Sequence, residues 1–281
     1  MSLLLHLLML SLLYAGSARV VQDFEKSCGE FFANRKSPTR FYGDRYKQIC
    51  QTLDDAVHFA TFYDTYNKIP VYSAYVFEGL MNCTRLDKWY IEPQLDDDKN
   101  PEKNMEFEKS VDIGELGENQ ALNKDYYRSG FDRGHLAPVY HANSQECADA
   151  TFTLTNAAPQ NPSFNRVEWR LLEKRIANDL NITCAEYNVY IVTGVVPDYD
   201  QKINNRVIVP SHFWTAYCCL DQNNRCAHSG GAIGINDNNG YVTPIMTVAE
   251  LETALEQLYG TAFTLFQNGP IIRKFFAYMG D

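Results

Sequence analysis

Four consecutive residues, Asp132-Arg133-Gly134-His135, set an acid, a guanidinium, a residue without a side chain and an imidazole beside one another. A second run holds Asn156, Pro159, Gln160, Asn165, Trp169 and Glu173. Hydrolysing a phosphodiester requires a base for the water, cationic groups for the charge that builds on phosphate, and stabilisation of the departing oxygen. His135 suits the base, because imidazole titrates close to neutral pH. Arg133 presents a planar fork that can hold phosphate oxygens. Gly134 removes a side chain where backbone must turn sharply or approach substrate. Asn165 offers a neutral oxygen to a hard ion such as Mg²⁺, which keeps several waters and uses few protein ligands.

Glu173 follows Asn165 by eight residues. On a regular α-helix that is roughly 12 Å of rise and about 80° of rotation. Direct co-ligation is therefore not expected. The spacing becomes easier if Asn165 opens the helix and the long glutamate leans toward its N-terminus. Glu173 is read as holding a metal-bound water.

These two runs resemble the DNA/RNA non-specific endonucleases of the ββα-metal class. The family's DRGH motif stands unbroken at Asp132 to His135. Its second block, N-x-x-P-Q…N-x-x-x-W…L-E, is met by Asn156, Pro159, Gln160, Asn165, Trp169, Leu172 and Glu173. Weaker similarity runs from about Lys68 to Phe213. The layout is most similar to the endonuclease-domain-containing 1 proteins, with a further likeness to mitochondrial endonuclease G. The resemblance implies an α+β, ββα-metal fold with a central antiparallel sheet flanked by helices. It implies His135 as general base, Asn165 as the direct Mg²⁺ ligand (Mn²⁺ as the alternative ion) and Glu173 as a water-holding acid. Arg133 and Asn156 would support the phosphate and the site geometry. The family also uses an arginine from an earlier segment; Arg85, ahead of Trp89 and Pro93, is the candidate, although the spacing around it departs from the pattern. DNA and RNA are the implied partners, and a homodimer is the assembly found among relatives.

The elements around these runs have their own signals. Residues 1–18 are apolar and uncharged, with small residues at 16 and 18. They are read as a secretory signal peptide, despite lacking Lys or Arg at the start, leaving residues 19–281 as a single domain. No later stretch is long and apolar enough to span a membrane. Eight cysteines in an exported chain imply disulfides. Adjacent Cys218 and Cys219 would point to opposite faces of a strand and so take different partners. Asn82-Cys83-Thr84 and Asn181-Ile182-Thr183 are glycosylation sequons, placing Asn82 and Asn181 on the surface of an extracellular protein.

A net charge of −10 opposes broad affinity for a polyanion. Catalysis therefore demands a local positive cleft. The alternative is a secreted nucleic-acid-binding protein with weak catalysis on the same fold.

Residues 20–60 suggest short helices and loops pinned by Cys28 and Cys50. Residues 61–77 read as two strands turning at Asn67-Lys68, and residues 151–155 as a short strand. Val167, Leu171, Leu172, Ile176 and Leu180 predict an amphipathic helix. Tyr187–Val196 reads as a buried strand ended by Gly194 and Pro197. Thr247 with Glu250 predicts a capping box, and Gly260 the end of that helix. His141, Asn143 and Glu146 are read as loop or helix surface residues, and the polar, acidic run from Pro93 to Gly117 as a solvated surface loop or irregular segment.

Overall fold

The computed structural model describes residues 20–267. The expected signal peptide and the apolar C-terminal stretch from Pro270 lie outside the described residues. Eleven strands are present among them: β1 (Val20–Val21), β2 (Tyr46–Leu53), β3 (Ala56–Asp64), β4 (Ile69–Phe77), β5 (Tyr90–Ile91), β6 (Glu106–Phe107), β7 (Asp132–His135), β8 (Ala157–Gln160), β9 (Asn188–Ile203), β10 (Val207–Leu220) and β11 (Cys226–Ile235). The two long helices are α1 (Arg170–Thr183) and α2 (Val248–Tyr259).

Seven strands make one antiparallel sheet in the order β1-β2-β3-β4-β9-β10-β11. Its two faces belong to two cores, and alternation along each strand divides them. Ile191, Val195 and Phe213 pack with Phe164, Trp169, Leu172 and Ile176 on the side of α1. Val192, Val196 and Trp214 pack with Phe24, Phe62, Leu251 and Leu255 on the side of α2. The predicted α+β architecture, a central antiparallel sheet between helices, is thus present.

Three disulfides tie the edges: Cys28–Cys50, Cys184–Cys219 and Cys218–Cys226. The neighbours Cys218 and Cys219 do take different partners. Cys184–Cys219 fastens the residue that follows α1 to β10. The capping box at Thr247 and Glu250 is formed, and Gly260 closes α2 at φ 69°, a left-handed conformation.

Some elements depart from the sequence reading. β9 does not end at Pro197. That proline stands opposite Pro210 at a register shift in β10, so two residues without an N–H share one irregularity and the pairing resumes beyond it. β2 is a full strand in what was read as helices and loops. Residues 151–155 are not a strand: the chain leaves a short helix (Gln145–Ala150) and passes through a 3-10 turn at Leu154–Asn156. The Asn156 amide, bonded to the Thr151 carbonyl at 2.9 Å, holds that turn. The segment after Pro93 is ordered by a carboxylate, not merely solvated. Asp96 accepts from Gly117 N (2.8 Å), Asn119 N (2.7 Å) and Gln120 Nε2 (2.7 Å).

Candidate active site

β7 and β8 pair antiparallel, with Asp132 opposite Gln160 and His135 opposite Ala157. After β8 the chain turns at Asn161-Pro162 and enters a π-helical turn, Phe164–Trp169, which runs on into α1. This is the ββα arrangement expected of the two motifs. Gly134 is required by packing: a Cβ there would run into the Gln160 side chain. Phe164 and Trp169 anchor the π turn in the core, leaving Asn165 and Arg166 between them on the outer side.

Arg85, Arg133, His135, Asn165 and Glu173 meet in a cleft of about 500 Å³. Five of its lining residues are cationic (Arg85, Arg133, Arg166, Arg170 and Lys174) against one carboxylate, Glu173. The positive ground needed by an acidic chain is therefore concentrated here. Arg85 reaches the cleft from a distant segment, its guanidinium 5.2 Å from the Phe152 ring centre.

His135 is largely buried, with Trp89 at 4.8 Å and Phe152 edge-on at 4.9 Å between ring centres. Burial first, and the Arg85 charge second, push its pKa down to about 3, so the imidazole is neutral at pH 7. Arg133 donates to the Asn123 carbonyl and side-chain oxygens at 3.3 and 3.1 Å, and its guanidinium lies against Trp89 and Tyr126. Burial lowers its pKa, but an arginine so far above neutrality stays charged.

Asn165 Nδ2 donates to Asp132 Oδ2 at 2.9 Å, and Arg166 grips the same carboxylate at 2.8 and 2.7 Å. A carboxylate only accepts. The NH₂ of Asn165 is thereby turned to Asp132, and its Oδ1 is left for another partner.

Glu173 reaches the cleft at one edge, yet the surrounding protein pushes its carboxyl up to about 8. Burial is the cause; Arg85, the Trp169 indole and Arg170 pull the other way. The backbone at Glu173 is fixed by His141, whose Nε2 lies 3.0 Å from the Glu173 carbonyl and whose Nδ1 lies 2.9 Å from the Tyr75 hydroxyl. Because the carbonyl can only accept, Nε2 carries the proton and Nδ1 accepts from Tyr75. His141 is 4% exposed, contrary to its reading as a surface residue. It is a spacer between β4 and α1 that no sequence spacing announced.

Asn156 is not in the cleft. It is wholly buried, accepting from Ala137 N (2.9 Å) and donating to Ala137 O (3.0 Å) as well as to Thr151 O. It holds the exit of β7 and so the geometry behind His135. Val167 and Leu171, expected on the buried stripe of the helix, are about half exposed, at 48% and 51%: Val167 projects outward from the π turn, and Leu171 lies about 100° round the helix from Leu172. Asn82 is exposed at the cleft and Asn181 in the last turn of α1. A second cavity of about 220 Å³, lined by residues including Phe41, Tyr46, Asp64 and Tyr199, has none of the motif residues.

Residues 37–270 match the DNA/RNA non-specific endonuclease family. Human endonuclease domain-containing 1 protein is 36% identical over 198 residues, covering 68% of this chain and 38% of the relative's length. Human mitochondrial endonuclease G is 41% identical over 108 residues, covering 34% of this chain and 35% of its own. Among solved structures, one of an EndoG/EndoGI complex aligns at a TM-score of 0.48 and 24% identity, covering 75% of this chain and 85% of that one. The chain thus spans well under half the length of the first curated relatives it matches. With the family match reaching across most of the sequence and both motif runs inside it, this chain belongs to the DNA/RNA non-specific endonuclease family.

Proposed function

We propose that the chain is a secreted, Mg²⁺-dependent endonuclease that hydrolyses DNA and RNA phosphodiesters with little sequence preference. The observation that carries this is the oriented Asn165 amide, sharing one cationic cleft with a neutral, buried imidazole. Membership of the family supports the reaction class. The three disulfides support an oxidising destination. Read this way, residues 1–18 are the signal peptide and residues 19–281 the mature domain.

The residues fit a hard divalent ion. Asn165 Oδ1 would hold it directly, and Glu173 would hold a water beside it. Among the described residues there is no cluster of three His, Cys, Asp or Glu side chains suited to a metal, and a hydrated Mg²⁺ on one amide does not need one. When bound, Mg²⁺ would supply charge neutralisation at the phosphate and the departing oxygen.

The protein's own part runs as follows. Arg133 and Arg85 hold non-bridging phosphate oxygens. His135, neutral at working pH, takes a proton from the attacking water as its oxygen bonds to phosphorus. The bond from phosphorus to the departing oxygen breaks, and that oxygen takes a proton from solvent. Trp89 and Phe152 fix the imidazole plane and exclude bulk water. The cationic lining supports contact with phosphates, which carry no sequence information. Glycans at Asn82 and Asn181, and a homodimer, belong to the same reading.

Digestion of plasmid and single-stranded RNA by the mature chain, with Mg²⁺ or EDTA and beside His135→Ala, tests it. Cleavage should disappear in EDTA and in the variant. Binding without cleavage by both proteins would instead favour a nucleic-acid-binding protein with lost turnover.

A further inference from the structure

Six cysteines are paired, and Cys83 and Cys147 are not. They lie 64 residues apart in sequence, yet both side chains pack against one small cluster of Val139, Ala142, Ala148 and Phe152. The short helix Gln145–Ala150 joins them. Cys83 Sγ donates to the carbonyl of its N-cap, Ser144, at 3.3 Å, and Cys147 N donates to the Ser144 hydroxyl at 3.0 Å. Around the thiols the two segments are already clasped. Thr84 N donates to Gln145 Oε1 at 2.9 Å, and Gln145 Nε2 returns to Thr84 O at 3.2 Å. Two residues beyond Cys83 is Arg85, and Cys83 and Arg85 both line the cleft.

We infer that Cys83 and Cys147 form a fourth disulfide, which fastens the loop carrying Arg85 to the helix at Gln145–Ala150 and so fixes that guanidinium over the cleft. The bond forms by two exchanges with a small-molecule or protein disulfide. One thiolate attacks the donor disulfide, giving a mixed disulfide and releasing one thiol. The second thiolate attacks the protein sulfur of that mixed disulfide and releases the other. Two protein thiols are oxidised and one donor disulfide is reduced to two thiols. Burial pushes both thiols up, Cys147 to about 11; Asp149 and Glu146 add to the rise at Cys83, and Cys83 and Glu78 to that at Cys147. Thiolate is therefore scarce at neutral pH, which makes the closure a step of maturation and not a rapid sensor. The 64-residue loop is long enough for such a bond to restrict the unfolded chain strongly.

The pairing is independent of the activity, whereas the effect on Arg85 rests on the proposed nuclease function. The mature chain, secreted and never reduced, is alkylated with iodoacetamide and digested without reduction. A peptide joining Cys83 to Cys147, with neither alkylated, is expected; alkylation of both while the other three disulfides stay intact overturns the pairing. Cys147→Ser should lower the Tm by about 5 °C or more and raise KM for plasmid at least threefold with kcat little changed. An unchanged KM overturns the positioning of Arg85, since a bond serving stability alone would move only the Tm. Absence of cleavage by the unaltered chain would sink the nuclease reading and leave the peptide map to decide the pairing.

Discussion

Asp132 accepts a hydrogen bond from the Asn165 side chain at 2.9 Å, across 33 residues of sequence. The acid that opens the first motif thereby decides which end of the amide in the second faces the cleft. Neither motif contains this information alone. Asp132→Asn can satisfy the Asn165 amide in either orientation, so it should raise the Mg²⁺ concentration needed for half-maximal cleavage by about 10–100-fold. A Mg²⁺ titration of plasmid nicking checks this, and an unshifted midpoint would deny Asp132 any orienting part.

His141 bridges Tyr75 and the Glu173 carbonyl without touching the cleft. His141→Ala removes the imidazole's bonds to the Tyr75 hydroxyl and the Glu173 carbonyl and opens a void. It should cost about 2–4 kcal/mol in urea unfolding. It should also depress kcat at temperatures where the variant is fully folded, because the backbone at Glu173 loosens. His141→Gln, which can restore the donor to the carbonyl, should recover part of kcat.

The metal-free protein should show two opposed pH slopes. Between about 4.5 and 8 the folded chain keeps a proton on Glu173 that the unfolded chain releases, so this group lowers stability as pH rises through that window. Below 6.5 the unfolded chain protonates imidazoles that the fold keeps neutral, His135 down to about 3 and His141 down to about 4. Those groups lower stability as pH falls from 6.5. In EDTA, Glu173→Gln should flatten the loss of Tm between pH 6.5 and 8 and steepen the fall between 6.5 and 4.5, where the carboxyl opposes the imidazoles. Parallel curves for the two proteins would show that the carboxyl is not held protonated.

Cleavage should be strongly salt-dependent despite the acidic net charge, since binding is confined to a cationic cleft. Arg170→Ala and Lys174→Ala should each weaken kcat/KM about equally on unrelated DNA sequences. Each should also reduce the slope of log kcat/KM against log salt by about one. A sequence-dependent loss would mean that these side chains read bases.

The sequence was most legible where chemistry and local pattern coincide. His135, Asn165 and Glu173 converge as their motifs suggested, and the Thr247 cap and Gly260 terminus are written in residues that contact one another locally. It was least legible where the partner is remote. Arg85 enters the cleft from a segment without regular spacing to the motif, and His141 is buried only because β4 and α1 close on it. Pro197 resembles a strand terminator until Pro210 is set opposite it. Leu171 reads as one stripe with Leu172, but neighbours on a helix lie about 100° apart, and only the second of them is buried.

That wide turn makes the separation of Asn165 from Glu173 a matter of counting. Deleting one residue between them would let the segment close into ordinary α-helix, since a π turn holds one residue more, and would leave amide and glutamate seven positions apart, about 20° off one line. Such a chain should remain well folded and keep both side chains on one face of the helix. This stretch is therefore where the chain can shorten by a residue without giving up its fold.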